Sequence, residues 1–251
     1  MTDSPSVFNA YSRYYDVLYC DKDYEGEATY IRGILSRHGV SSGALLELGC
    51  GTGKHGRLLA AHGYTVQGIE RSAEMVAQAA VAPGFSCQQG DICTIRMGCT
   101  YDAVLSLFHV LSYQTSNKNV HAVFARAAEH LKPGGIFVFD FWYSPAVYTL
   151  QPTTRVKRMS DEHVEVMRIA EPHLYPNENR VDVEYTICAK EKASGDIQTL
   201  TELHPMRHFS LPEIDLFANA AGLKRIAAEE FLTANVPSEN TWGVCVILQK
   251  N

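Results

Sequence analysis

The sequence predicts a doubly wound α/β fold carrying an antiparallel β insertion, and three observations carry that prediction. Short apolar runs alternate with helical stretches from about residue 40 to residue 143, which calls for a parallel sheet covered by helices on both faces. Right-handed crossovers then make the sheet doubly wound. A glycine-rich loop joins the first apolar run to the helix that follows it, and residues from about 153 to 209 lose helical periodicity altogether.

In chain order, "FNAYSRYYDVLY" (8–19) reads as a short helix and "DYEGEATYIRGILSRHG" as a second, ending at Gly39. "GALLELG" is a buried strand running into the glycine loop, and "GKHGRLLAAHG" is a helix stopped by Gly63. "TVQGIE" is a second strand ending at Glu70, and "SAEMVAQAAV" a helix with Ser72 at its N-cap. "FSCQQGDI" and "YDAVLSLFHV" give strands three and four. "NKNVHAVFARAAEHLKPGG" is a helix closed by Pro133 and glycines, and "IFVFDFW" is the fifth strand.

Beyond Tyr143 the runs "HVEVMRI", "RVDVEYTICA" and "IQTLTELHPMRHF" are separated by turn chemistry at "YPNEN" and "ASGD", which predicts three or four antiparallel strands. Pro205 puts the last of them at an edge or a bulge. "SLPEIDLFANAAG" is a capped helix, and "LKRIAAEEFL" and "TWGVCVILQK" are the closing strand pair. The expected organisation is an N-terminal helical lid (1–39), an α/β core (40–149), an antiparallel insertion (150–209) serving as substrate lid and dimer contact, and a C-terminal completion of the core (210–251).

With 46% hydrophobic and 20% charged residues, the chain is an ordinary globular protein. A net charge of −6 argues against nucleic-acid binding, which needs clustered cationic surface. No stretch runs 18 apolar residues, and the first residues lack a signal pattern, so the expectation is a cytoplasmic protein without a membrane span. Seven cysteines without a C-x-x-C pair read as small buried hydrophobes in a reducing compartment. Ten scattered histidines show no metal-ligand spacing, so no metal is expected.

The loop "LELGCGTGKHG" (46–56) parses in two ways. Gly51, Gly53 and Gly56 spell the dinucleotide G-x-G-x-x-G, whereas Glu47, Gly49, Gly51 and Gly53 spell E-x-G-x-G-x-G. Either ligand exploits glycines for a tight turn and backbone N–H groups aimed at an anion. Glu70 fits both, because a carboxylate there accepts from the two hydroxyls of an adenosine ribose.

Three features favour the second parse. Asp91, in "GDI" at the end of the third strand, can accept from the adenine amine while the next backbone N–H, that of Ile92, meets a ring nitrogen. "HLKPGG" before the fifth strand is a turn found in methyltransferases. Glu47 would repel a pyrophosphate and attract a methionyl ammonium.

On "LLELGCGTG", "GIE", "GDI", "YDAVLSLFHVLSY" and "LKPGG", the chain resembles the class I S-adenosylmethionine-dependent methyltransferases. "YDVLY" near the N-terminus, "DFWY" after the fifth strand and the β-rich insertion are similar to small N,N-dimethyltransferases of nucleotide-linked amino sugars. The resemblance implies a Rossmann-like methyltransferase sheet with a C-terminal antiparallel strand pair. It implies that Glu47, Gly49, Gly51 and Gly53 cradle the methionyl part, that Glu70, with Arg71 beside it, binds the ribose, that Asp91 and Ile92 hold the adenine, and that Leu107 lies near the cofactor. S-adenosylmethionine is the expected cofactor and S-adenosylhomocysteine its product. His55 and Arg57 receive no role.

Methyl transfer needs an aligned, deprotonated nucleophile in a dry site, and alignment alone supplies roughly 7–11 kcal/mol. His109 stands just past the fourth strand, at the carboxyl edge where ligands bind in this fold, and is the base candidate; the competing reading is a packed loop histidine. Tyr113, in the same "FHVLSY" loop, is a second candidate to orient the acceptor. Tyr11, Tyr15 and Tyr19 line one helix face and are expected to face the sulfonium, with a hydroxyl on the methionyl carboxylate and Tyr15 also a catalytic candidate; the alternative is an aromatic stripe that docks the helix.

Trp142 and Tyr143 are placed to wall the acceptor pocket or to pack the core. Arg155, Lys157 and Arg158 grip a phosphate or guard a solvated edge strand. Glu202, His204, Arg207 and His208 form a substrate-facing cluster or a polar surface.

The function expected is methylation of a small acceptor, favouring the amine of a nucleotide-linked amino sugar. An O-methyltransferase of a sugar or other metabolite comes next. An NAD-dependent oxidoreductase and a cofactor-binding protein without catalysis are the readings from other classes. A monomer or homodimer is expected, with the insertion as the contact.

Overall fold

A computed structural model describes residues 12–79 and 81–251. Its elements in chain order are α1 (Ser12–Leu18), α2 (Tyr24–Arg37), β1 (Gly43–Leu48), α3 (Lys54–Ala61), β2 (Tyr64–Glu70), α4 (Ala73–Gln78), β3 (Phe85–Gln89) and β4 (Tyr101–Ser106). There follow α5 (Asn117–His130), β5 (Leu131–Trp142), α6 (Ser144–Leu150), β6 (Arg155–Ser160), β7 (Val164–Tyr175), β8 (Arg180–Glu191), β9 (Ile197–Arg207), α7 (Leu211–Ala220), β10 (Leu223–Glu230) and β11 (Gly243–Lys250).

The chain forms two compact units. The larger, Asp23–Leu150 with Arg207–Asn251, holds a seven-stranded sheet in the order β10-β11-β5-β4-β1-β2-β3. β1 pairs in parallel with β2 and β4, β2 with β3, and β4 with β5, while β11 is antiparallel to both β5 and β10. Because strand side chains alternate, the two faces bury separate sets. Leu46, Leu48, Val104, Phe137 and Phe139 pack under Phe124 of α5 and Ile214 of α7. Leu45, Ala103, Leu105, Ile136 and Val138 pack under Ile31, Ile34 and Leu35 of α2 and Leu59 of α3.

Side-chain caps start the helices where the sequence supplies them: Asp23 accepts from the Gly26 N–H, Ser72 from Met75, Ser116 from Asn119 and Ser210 from Glu213. The strand order reverses between β1 and β4. The loops leaving their carboxyl ends, residues 49–53 and 107–113, therefore meet at the switch point where ligands bind in doubly wound sheets.

The smaller unit comprises the described residues up to Lys22 and Gln151–Met206. Its antiparallel sheet has the order β6-β7-β8-β9, and Tyr14 and Leu18 of α1 pack on Val164, Val166, Ile187 and Ala189.

Several expectations change. Residues 1–39 do not stay together, because α1 buries its apolar side against the insertion whereas α2 is part of the core. "LKPGG" lies within the span of β5, with a register shift opposite Tyr101 and Ala103, rather than preceding the strand. The insertion has four strands, the basic "TRVKR" run forming most of edge strand β6. Pro205 sits in edge strand β9, where a missing N–H is tolerated. The seven cysteines are free thiols, but only Cys50 and Cys245 are buried, and Cys20 and Cys99 are exposed.

Candidate functional site

The glycine loop is shaped by what surrounds it. Gly49, Gly51 and Gly53 all have positive φ, at 75°, 56° and 76°, the region that favours glycine. A Cβ on Gly49 would lie 2.5 Å from Val110, and one on Gly53 2.5 Å from the Phe85 ring. One on Gly51 would meet only Met75 Sδ at 3.9 Å. The loop is thus packed from behind at its two ends and open at its centre.

Two buried carboxylates flank it. Glu70, the last residue of β2, accepts the Gly51 N–H through Oε2 at 3.0 Å and the Ser72 N–H through Oε1 at 2.8 Å. Burial raises its pKa, partly offset by those N–H bonds. Glu47, inside β1, is 1% exposed, and its Oε2 has no hydrogen-bond partner among the described residues. Burial, with the nearby Cys87 and Glu70, pushes its pKa up to about 8. An acceptor held dry without a donor costs free energy unless a ligand supplies one.

Past β3, Asp91 is exposed and closes a turn through the Cys93 N–H at 2.8 Å, while Ile92 is buried. Arg71 is exposed beside Glu70.

After β4 the chain makes an unusual turn. Leu107 is buried, and Phe108 and His109 both have left-handed φ, 66° and 60°. A 3-10 turn over Val110–Tyr113 follows, with Tyr113 half-buried at its end. Asp140 of β5, fully buried, accepts the His109 backbone N–H at 3.1 Å. The same oxygen lies 2.7 Å from His109 Nδ1, within ion-pair range but off the axis of a straight hydrogen bond. The His109 side chain is 22% exposed and neighbours the rings of Phe108 and Trp142. Trp142 and Tyr143 are half-buried, Trp142 against Trp242. Tyr143 donates its N–H to the Trp242 carbonyl and packs on the core.

His55, given no role from the sequence, is buried at the start of α3, with Nε2 2.7 Å from Glu27 Oε2 of α2 and the Tyr24 ring edge-on at 5.1 Å. The pair ties α2 to the helix that opens the glycine loop. An acid at the fourth residue of a helix with a charged first turn is an ordinary solvated side chain by sequence, so nothing local marked it.

In the smaller unit Tyr15 and Tyr19 stack at 4.8 Å, and Tyr19 accepts from Arg168 at 3.0 Å. Tyr11 lies outside the described residues. Arg155 is exposed at the start of β6, and Lys157 is paired with Asp21.

His204 and Arg207, expected to face the substrate, have partners within the protein. His204 is 1% exposed, 3.4 Å from Glu202 and edge-on to Tyr185 at 4.5 Å. Arg207 is ion-paired to Glu213, donates to the Thr115 carbonyl at 3.3 Å and lies over the Phe209 ring. Both are engaged inside their own units. His208 lies just beyond β9, its Nδ1 2.8 Å from Ser144 Oγ. Among the described residues no cluster of three metal-ligating side chains occurs, and no helix is long and apolar enough to cross a membrane.

Comparison with known proteins fits this geometry. Residues 45–135 match the methyltransferase domain family. The chain superimposes on DesVI of Streptomyces venezuelae (TM-score 0.80, 24% identity, 94% of this chain and 97% of that one). It also superimposes on a sugar N-methyltransferase of Streptoalloteichus (TM-score 0.80, 22% identity, 100% and 99%). The domain match over residues 45–135 and the shared fold favour S-adenosylmethionine as the nucleotide of the loop, and the dinucleotide parse is set aside. In sequence the chain is similar to the dTDP-3-amino-3,4,6-trideoxy-α-D-glucopyranose N,N-dimethyltransferase of Streptomyces venezuelae, at 28% identity over 84% of this chain and 88% of that enzyme. It is equally similar, at 28% over 80% and 78%, to the dTDP-3-amino-3,6-dideoxy-α-D-glucopyranose N,N-dimethyltransferase of Streptomyces fradiae.

Proposed function

We propose that the chain methylates the amine of a nucleotide-linked amino sugar. The observation that carries this is the near full-length similarity to two enzymes whose names share that reaction. It reaches well beyond the 45–135 domain, into the segments expected to shape the acceptor site.

The site's own residues fit the cofactor. S-adenosylmethionine, when bound, supplies a methyl group on a positively charged sulfur. The unpartnered Glu47 Oε2 is the acceptor for its ammonium, and the open side of Gly51 leaves space beside it. Glu70, already fixed by two backbone N–H groups, has oxygen lone pairs left for the ribose hydroxyls. Asp91 and Ile92 take the adenine, with Leu107 and Arg71 bordering the site.

His109 takes the proton that the acceptor nitrogen must lose, and removing it lowers turnover about a hundredfold, the low end for a general base, since amines need modest help. Tyr113 orients the acceptor, and Trp142 and Tyr143 exclude water from it. Parts for Tyr15, Tyr19 and Arg155 rest on the resemblance.

A panel of acceptors tests the reading. Incubated with S-adenosylmethionine, a dTDP-linked 3-amino-3,6-dideoxyhexose is expected to gain two methyl groups by mass spectrometry, and its 3-hydroxy counterpart none. Methylation of the hydroxy sugar instead would make the chain an O-methyltransferase.

A further inference from the structure

We infer that Asp140 is a positioning residue that fixes the tautomer of His109, holding the proton on Nδ1 so that Nε2 presents a lone pair to the acceptor. The inference rests on His109 as the proton acceptor proposed above.

Asp140 is the only acid in "IFVFDFW", a strand otherwise apolar and buried. Sheet packing has no use for it. Its backbone pairs with Cys245 of β11, and its side chain is fully buried. Both contacts of Oδ2 go to one residue, the backbone N–H and the Nδ1 of His109. Oδ1 has no hydrogen-bond partner among the described residues. A buried carboxylate is tolerated when it is paired, and here the pairing is spent wholly on His109.

The backbone carries the second indication. Phe108 and His109 are consecutive non-glycine residues in the left-handed region, which L-residues rarely visit and which persists where surroundings over-determine it. That turn brings the imidazole back over β5. The last pairing of β4 with β5 is Ser106 with Phe139, so Asp140 stands one step past that ladder, at the carboxyl edge.

At 2.7 Å from a carboxylate oxygen, Nδ1 must carry a proton, because two lone pairs would repel at that distance. A neutral imidazole has one N–H, so Nε2 is the unprotonated nitrogen. The His109 side chain as a whole is 22% exposed. The pair of groups is the carboxylate and imidazole of hydrolase triads, where the acid selects the tautomer without itself taking the proton, here at 2.7 Å but off the axis of a straight hydrogen bond.

A carboxylate that only anchored the turn would bind the backbone N–H and be indifferent to the ring. The two roles separate by long-range ¹⁵N–¹H correlation of the histidine rings, with His109→Gln assigning the resonance among the ten histidines. The wild type is expected to show His109 as the Nδ1–H tautomer. In Asp140→Asn an NH₂ in the place of Oδ2 donates to Nδ1 and moves the ring proton to Nε2, at the expense of the bond from the backbone N–H. Turnover of an amine acceptor then falls on the order of a hundredfold or more, with affinity for S-adenosylhomocysteine retained.

An Nε2–H tautomer in the wild type overturns the inference. So does an Asp140→Asn protein whose tautomer is unchanged and whose turnover falls only with its melting temperature. Should that variant fail to fold, the wild-type spectrum decides alone. The expected tautomers without any amine turnover would overturn the substrate reading and leave the pairing standing.

Discussion

Glu47 and Glu70 are both carboxylates buried beside the same loop, and they differ in what satisfies them. Glu70 already holds two backbone N–H groups, whereas Glu47 has an oxygen without a donor and a pKa pushed up to about 8. In the free protein at pH 7, Glu47 is therefore mostly protonated. An ammonium placed against it favours the charged form, so cofactor binding is expected to release up to about one proton at pH 7. Titrations in buffers of different ionisation enthalpy will show it as different apparent enthalpies. Buffer-independent heats would mean that Glu47 does not meet the ammonium. Both carboxylates were legible in the sequence, because they sit within one motif and at the end of one strand. Asp140 and Glu27 were not, since their partners are 31 and 28 residues distant. Asp140 did leave a signal, a lone acid inside a buried apolar strand.

At the scale of the element, the glycine loop is built by opposition. Phe85 of β3 and Val110 of the 3-10 turn press on it where Gly53 and Gly49 stand, and nothing crowds Gly51. Gly53→Ala is expected to cost 2 kcal/mol or more, combining left-handed strain of about 1–2 kcal/mol with the ring clash. That lowers the melting temperature by roughly 4–8 °C. Gly51→Ala carries the strain without the clash, so it is expected to keep most of the stability and lose cofactor affinity; equal melting temperatures for the two would contradict this account of the loop.

The join between β9 and α7 carries its own test. Burial and the adjacent Arg207 charge lower the His208 pKa to about 4. The unfolded chain, titrating near 6.5, then binds a proton that the folded chain refuses. The His208 contribution to stability is therefore full above pH 6.5 and lost as pH falls toward 4, by on the order of 2 kcal/mol. Glu47 acts with the opposite sign as pH rises from 4.5 toward 8, so the comparison must be with His208→Asn. The stability gap between wild type and variant should narrow as pH drops across that window. The helices and strands bounding these sites were readable from periodicity and caps. α6 was not, because its seven residues hold too few turns to show a period.

At the scale of the molecule, two units are made from four stretches of chain. The α/β core, the closing antiparallel pair and the β-rich insertion were all visible as changes in sequence texture. The assignment of α1 to the insertion was not, because an aromatic helix has the same pattern whichever sheet it covers; Tyr14 and Leu18 settle it by packing on β7 and β8. The internal partners of His204 and Arg207, Glu202 and Glu213, were likewise not legible as pairs in the sequence. The cofactor half of the site thus rests on local motifs, and the acceptor half on contacts that only tertiary structure supplies.

The central claim is that the loop between β1 and α3, with its two carboxylates, is the seat of a cationic adenosine cofactor. Calorimetric titration of the purified protein with S-adenosylhomocysteine, and separately with NAD, tests it most directly. One-to-one binding of the first is expected, weakened ten- to a hundredfold or more in Glu70→Ala, as the loss of charge-assisted bonds worth about 1.5–3 kcal/mol requires; NAD should give no heat. Binding of NAD with silence toward S-adenosylhomocysteine, or full affinity in Glu70→Ala, would contradict it.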